Sequence, residues 1–205
     1  MSQKAIVPAI VALTLLMVGC ANDGRELRPP TPAQVAAATT STTSNSTTTS
    51  EVAPEGFYAQ TPWGQGGTID SRYTCDGDGI SPSLTWGNIP QGTVSLALTA
   101  INTAMLTDDG ESYLLWTAAN IPTTATGLSE GAVPEGVVEG LNSAGGVGWV
   151  APCPPAGELH RIDITVYAMG SNPGVTSGMS GQAMLEAFVA NAIGEYTITG
   201  NYPAP

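Results

Sequence analysis

The 205-residue chain has one histidine, His160, so imidazole chemistry can arise at only one place. A multi-histidine metal site cannot be assembled from this chain alone. Arg161 follows it, and an imidazole beside a guanidinium can offer converging donors to a phosphate or carboxylate. Three cysteines divide as one plus two, with Cys20 near the N-terminus and Cys75 and Cys153 deep in the chain. The even pair suits a disulfide better than a metal or redox site, since it does not form a Cys-x-x-Cys pair. A serine nucleophile would need a Gly-x-Ser-x-Gly elbow. Gly178-Met179-Ser180-Gly181-Gln182 places its second glycine one position too early and lacks a preceding strand, so catalysis is not expected. Asp76-Gly77-Asp78-Gly79 opens like a calcium loop, but Ser81 and Pro82 follow where further acids and a closing Glu are required. A tight turn is the expected reading there, and no metal site is assigned. Asp108-Asp109-Gly110-Glu111 reads as a solvated hairpin loop.

The elements that must position these residues are mostly strands. Apolar or alternating runs lie at Leu84–Trp86, Val94–Ile101, Tyr113–Ala119, Ile162–Met169 and Tyr196–Thr199. In the fourth run Ile162, Ile164, Val166 and Ala168 share one face of a period-2 pattern. With 25 Gly and 16 Pro, turns and short strands are favoured over long helices. One helix is predicted near 181–193, where Met184, Leu185, Phe188, Val189 and Ala192 recur at helical spacing after Ser180. Gly194 is expected as its C-cap. The fold class is mainly β, with one or two short helices.

The N-terminal part has a different character. Residues 1–19 carry Lys4 and then an apolar run from Ala5 to Val18 that is short for a bilayer span, which favours a cleaved export signal. Met17-Val18-Gly19-Cys20 looks like a bacterial lipobox, so Cys20 is expected to be acylated and to anchor the chain through buried CH₂ groups. Residues 20–55 are rich in Pro, Ala, Ser and Thr. From Thr39 to Ser50 every residue except Asn45 is Ser or Thr, a composition that cannot offset its ordering entropy and reads as a disordered tether. Residues 56–205 are left as one folded domain, exported and facing the extracytoplasmic side.

Four segments, in order, resemble the phosphatidylethanolamine-binding protein family, specifically its bacterial Raf kinase inhibitor-like branch. They are Tyr73-Thr74-Cys75-Asp76-Gly77 running to Ser81-Pro82-Ser83-Leu84-Thr85-Trp86, then Asn120-Ile121-Pro122, then Pro152-Cys153-Pro154-Pro155-Ala156-Gly157, and His160-Arg161 leading to Val166-Tyr167-Ala168-Met169. Gly194-Glu195-Tyr196 also fits, so the resemblance spans roughly residues 57–202. It implies an antiparallel β-sandwich with a small anion-binding pocket at one end. It also places Cys75 and Cys153 in two turns near that pocket, where a disulfide closing so long a loop would contribute about 3–5 kcal/mol.

The pocket departs from the family pattern. The family's Asp-Pro-Asp-x-Pro segment falls at Asn102-Thr103-Ala104-Met105, and its His-Trp pair reads Leu115-Trp116. The Gly-x-His-Arg element survives as His160-Arg161 with an extra spacer after Gly157, and the aromatic that follows in the family is Ile162. Asn102 keeps a polar group without the charge, whereas Leu115 removes a donor and adds apolar surface. The resemblance implies that Asn102, Trp116, Pro154, His160 and Arg161 line the pocket.

Charge narrows the partners. The chain has 17 acids against five Lys and Arg, a net charge of −12. Nucleic acid is excluded as a partner because phosphate neutralisation needs clustered cations. Residues 56–205 carry 13 of the acids and two arginines, Arg72 and Arg161, so an anion must approach against the field of the domain. A neutral or zwitterionic ligand is thereby favoured over a highly charged one. The expected function is a lipid-anchored, non-enzymatic binding protein. Its ligand would be small and phosphate- or carboxylate-bearing or zwitterionic, a phospholipid head group being one candidate, with no cofactor. The alternative is an interaction or structural module of the cell envelope, with a decayed pocket, that contacts another protein.

Overall fold

The computed structural model describes residues 55–205. The expected export signal at 1–19, the expected acylation of Cys20 and all but the last residue of the expected tether at 20–55 lie outside the described residues. Short strands open and close the loops: β1 (Tyr58–Gln60), β2 (Gly67–Thr68), β3 (Leu84–Gly87), β6 (Gly127–Leu128) and β7 (Val138–Glu139). Four long strands make the frame: β4 (Ser95–Leu106), β5 (Ser112–Ile121), β8 (Leu159–Met169) and β9 (Ala192–Pro203). A 3-10 turn at Ser71–Tyr73 and the helix α1 (Gly181–Asn191) complete the described elements.

One sheet has the order β2-β9-β8-β4-β5-β7 and the other β1-β3-β6. The long neighbours pair antiparallel, as expected for this fold class, but β2 joins β9 parallel at the sheet edge. The larger sheet is covered on both faces, which explains the long apolar strands. Leu96, Leu98 and Ala100 of β4 and Ile162, Ile164, Val166 and Ala168 of β8 pack into the space shared with Ala59, Leu84, Trp86 and Leu128 of the smaller sheet. The alternate residues Ala97, Tyr167 and Met169 meet Met184 and Phe188 of α1 on the opposite face. Each large apolar side chain fully buried in this way contributes about 1.5–3 kcal/mol.

Two local outcomes differ from the sequence expectation or extend it. The helix stops at Asn191, and Ala192 is already extended (φ −74°, ψ 140°), so the chain passes directly into β9. Gly194 is therefore not a helix cap. It lies inside β9 opposite Ala168, where a Cβ would come 3.1 Å from Pro90 Cγ, so close packing accounts for the glycine. In β5 the register shifts between the pairs Ala100–Trp116 and Ile101–Leu114, leaving Leu115 as the extra residue of a bulge. A bulge suspends strict alternation, and the consecutive residues Leu115 and Trp116 both enter the same core cluster. A second shift near Asn120 coincides with its φ of 60°, a left-handed conformation that asparagine tolerates better than most residues.

Candidate functional site

Period-2 geometry places the candidate site at one end of the larger sheet. Asn102 continues the face of Leu96, Leu98 and Ala100 on β4, and His160 continues the face of Ile162 and Ile164 on β8. Because Asn102 pairs with Ile162, His160 is its diagonal neighbour, within reach of a longer side chain. Both are buried, at 1% and 5% exposure. Asn102 Nδ2 lies 2.9 Å from His160 Nδ1. Asn102 Oδ1 accepts from the Ala104 backbone N–H at 3.1 Å, and this fixes the amide with its NH₂ toward the ring. His160 Nδ1 must then accept, which leaves the proton on Nε2. Nε2 in turn faces Glu158 Oε2 at 3.2 Å, and the Glu158 side chain is 56% exposed.

Tyr202 on β9 stands directly opposite His160 in the β8–β9 register. Its hydroxyl donates to Asp76 Oδ2 at 2.5 Å. Burial, reinforced by that carboxylate, raises the Tyr202 phenol above its usual range. Asp76 follows Cys75, which is bonded to Cys153 with Cα atoms 5.2 Å apart. The disulfide thus ties the turn carrying Asp76 to the segment leading into β8, and Pro154 lies buried beside it.

The other two residues expected at the pocket have different surroundings. Arg161 points to the opposite face of β8 from His160. There its Nε and Nη2 donate to the two carboxylate oxygens of Asp163 at 2.8 and 3.0 Å, and Nη2 reaches Thr199 Oγ1 at 3.3 Å. Trp116 is fully buried, and its indole N–H donates to Glu139 Oε1 at 2.7 Å. The structure therefore joins Asn102 to His160, and it brings neither Arg161 nor the Trp116 N–H into that hydrogen-bonded group. Glu158, Tyr202 and Asp76 are the members that sequence reasoning missed. Glu158 lies in the turn just ahead of β8, which begins at Leu159, so strand alternation did not point to it and only its closeness to His160 in sequence could have. Tyr202 and Asp76 had no local signal, because only strand register and the disulfide bring them near. Among the described residues no cluster of three or more His, Cys, Asp or Glu is placed to hold a metal ion.

A family model for phosphatidylethanolamine-binding protein matches residues 59–203. The chain belongs to the phosphatidylethanolamine-binding protein family. The match spans the two sheets, α1 and the whole His160 group. A UPF0098 protein of Methanothermobacter thermautotrophicus is 38% identical over 145 residues, covering 66% of this chain and 91% of the relative. LppC of Mycobacterium tuberculosis, a candidate lipoprotein by its name, is 30% identical over 205 residues and aligns with 98% of this chain and 96% of its own length. The crystal structure of Escherichia coli YbcL, described as a member of the mammalian family, superposes with a TM-score of 0.67 at 30% identity, over 73% of this chain and 99% of that one. Family membership thus rests on sequence and fold together.

Proposed function

We propose that this family member is a non-catalytic binding protein, exported and held at the cell membrane by a lipid on Cys20. Its ligand is a small phosphate- or carboxylate-bearing or zwitterionic molecule, such as a phospholipid head group, bound beside His160. The observation that carries this reading is the orientation of the imidazole. Asn102 holds Nδ1 from the buried side, so the Nε2–H donor points toward Glu158, whose side chain is 56% exposed. A ligand carboxylate or phosphate oxygen would take the place of the Glu158 carboxylate as acceptor, a charge-assisted exchange that keeps the ring bonded throughout. The acidic domain opposes a multiply charged anion, which favours a ligand carrying a compensating positive group. The whole-length similarity to LppC supports the anchor and the export route. Among the described residues no helix is long and apolar enough to cross a membrane.

Titrating the full-length protein with phosphorylethanolamine and with acetate, while following the His160 ring signals by NMR, tests the reading. Saturable shifts at millimolar ligand are expected. Unchanged signals would remove the anion site.

A second reading is favoured by one feature of the same group: both ring nitrogens already have partners within the chain. His160 would then be a structural residue and the domain an interaction module of the envelope. In that case His160→Ala should leave the phenotype intact, whereas substitutions on an exposed surface should not.

A further inference from the structure

A cleft of about 300 Å³ lies between the turns around Gly79–Ser81, Gly131–Val133 and Val147–Trp149, with Glu139 of β7 in its wall. None of Asn102, His160, Glu158 and Tyr202 lines it. Glu139 is its one charged wall residue, and no Lys, Arg or His lines it. The carboxylate is held in place. Its Oε1 accepts from the fully buried Trp116 indole at 2.7 Å, and its backbone oxygen accepts from Gly178 N–H at 2.9 Å. The wall beside it is shaped to admit it. Gly148 has a φ of 83°, and a Cβ there would fall 2.9 Å from Glu139 Oε1. Trp149 packs edge-on against Trp116, with ring centroids 6.0 Å apart, and lines the same cleft. Its indole N–H is buried and has no hydrogen-bond partner among the described residues.

Glu139 accepts from the Trp116 indole, but among the residues lining the cleft there is no cation to balance its charge. A small ligand carrying an ammonium group would supply that charge to Glu139 while the rest of it lay against the exposed part of the Trp149 side chain. The geometry points to this cleft as a second binding site, separate from His160, for a small hydroxylated amine such as an amino sugar. The acidic domain assists here, since it attracts a cation. The indole of Trp149 adds an aromatic surface of the kind that attracts ammonium groups.

The test uses nitrogen-labelled full-length protein, with the Trp149 indole signal assigned through Trp149→Phe. Glucosamine is the probe, and glucose and N-acetylglucosamine are the uncharged controls. A saturable millimolar shift of the Trp149 signal with glucosamine, absent with the two controls, is expected. Glu139→Gln keeps an acceptor for Trp116 and removes the charge, so binding should weaken by about tenfold or more. Val147→Trp fills the cleft from a position that is 55% exposed, and it should abolish the shift even if Glu139→Gln fails to fold. His160→Gln should leave glucosamine binding unchanged, which separates this site from the anion site. The proposal is overturned if glucosamine gives no shift, if the uncharged sugars shift the signal equally, or if the response survives Val147→Trp.

Discussion

Asn102 Nδ2 on β4 sits 2.9 Å from His160 Nδ1 on β8, and this contact determines which ring nitrogen carries the proton. The amide cannot reverse without abandoning the Ala104 N–H, which its oxygen accepts at 3.1 Å. The ring is thereby held with its donor edge facing Glu158. The charge at this end resides in Glu158 and Asp76, not in the residue beside His160 Nδ1.

Replacing Asn102 by Ala removes two hydrogen bonds at a position that is 1% exposed, and it leaves the His160 acceptor unpaired. A loss of about 1–3 kcal/mol in unfolding free energy is expected from denaturant titration. A variant as stable as the parent would mean that the contact does not hold the ring.

On the proposed reading, Glu158 competes with an anion for His160 Nε2, which it faces at 3.2 Å. Glu158→Ala should therefore tighten acetate binding, by up to about fivefold, the range expected for removing one competing hydrogen bond to the ring. Isothermal titration of both proteins measures this directly, and equal or weaker binding in the variant would rule the competition out.

The Cys75–Cys153 bond closes a loop with a sequence separation of 78. Reduction, or the double replacement of both cysteines by Ser, should lower stability by about 3–5 kcal/mol on the chain-entropy argument. Intact-mass measurement should gain two alkyl labels only after reduction. Labelling of the native, unreduced protein would contradict the bond.

Alkaline pH should unfold the domain earlier than its neutral stability suggests. Burial raises the phenol of Tyr167 above its ordinary value of about 10, and Tyr73 and Tyr202 are raised in the same direction. A raised folded-state value means that the folded form retains its proton longer. The stabilisation is fully present below about pH 10 and is lost as the pH climbs through the folded-state values. Tyr167→Phe keeps the ring beside Phe188, whose centroid is 5.8 Å away, and removes one titrating group. The slope of stability against pH above 10 should fall by at most about 1.4 kcal/mol per pH unit, the slope for one proton. An unchanged slope would place the alkaline sensitivity elsewhere.

The strands were legible because burial on one face writes a period of two into the sequence, as Ile162, Ile164, Val166 and Ala168 show. The helix was legible for the parallel reason, since Met184 and Phe188 recur at helical spacing and both are fully buried. Its end was not. Gly194 suggested a cap, but the glycine serves packing against Pro90 inside β9, a long-range constraint with no trace in the neighbouring residues. The site was half legible. Asn102 and His160 could be singled out by residue type and by resemblance, and the alternation that places both on the inner face is local. Glu158 was missed, because it lies in the turn before β8 begins at Leu159, where strand alternation does not apply.

The sequence alone determined the family, the mainly β class, the acidic domain and the identity of the one imidazole, because each depends on composition, local periodicity or an ordered set of short motifs. The tertiary structure decided who meets whom. Register set Tyr202 opposite His160, and the disulfide end of the fold brought Asp76 to the Tyr202 hydroxyl. The bulge at Leu115 put two consecutive side chains into one core. Alternation along β8 sent Arg161 to Asp163 on the outer face while its neighbour His160 faced inward. The physical reason is that a strand's own residues fix which side each side chain takes, whereas its register, bulges and neighbours are fixed by chain segments far away in sequence.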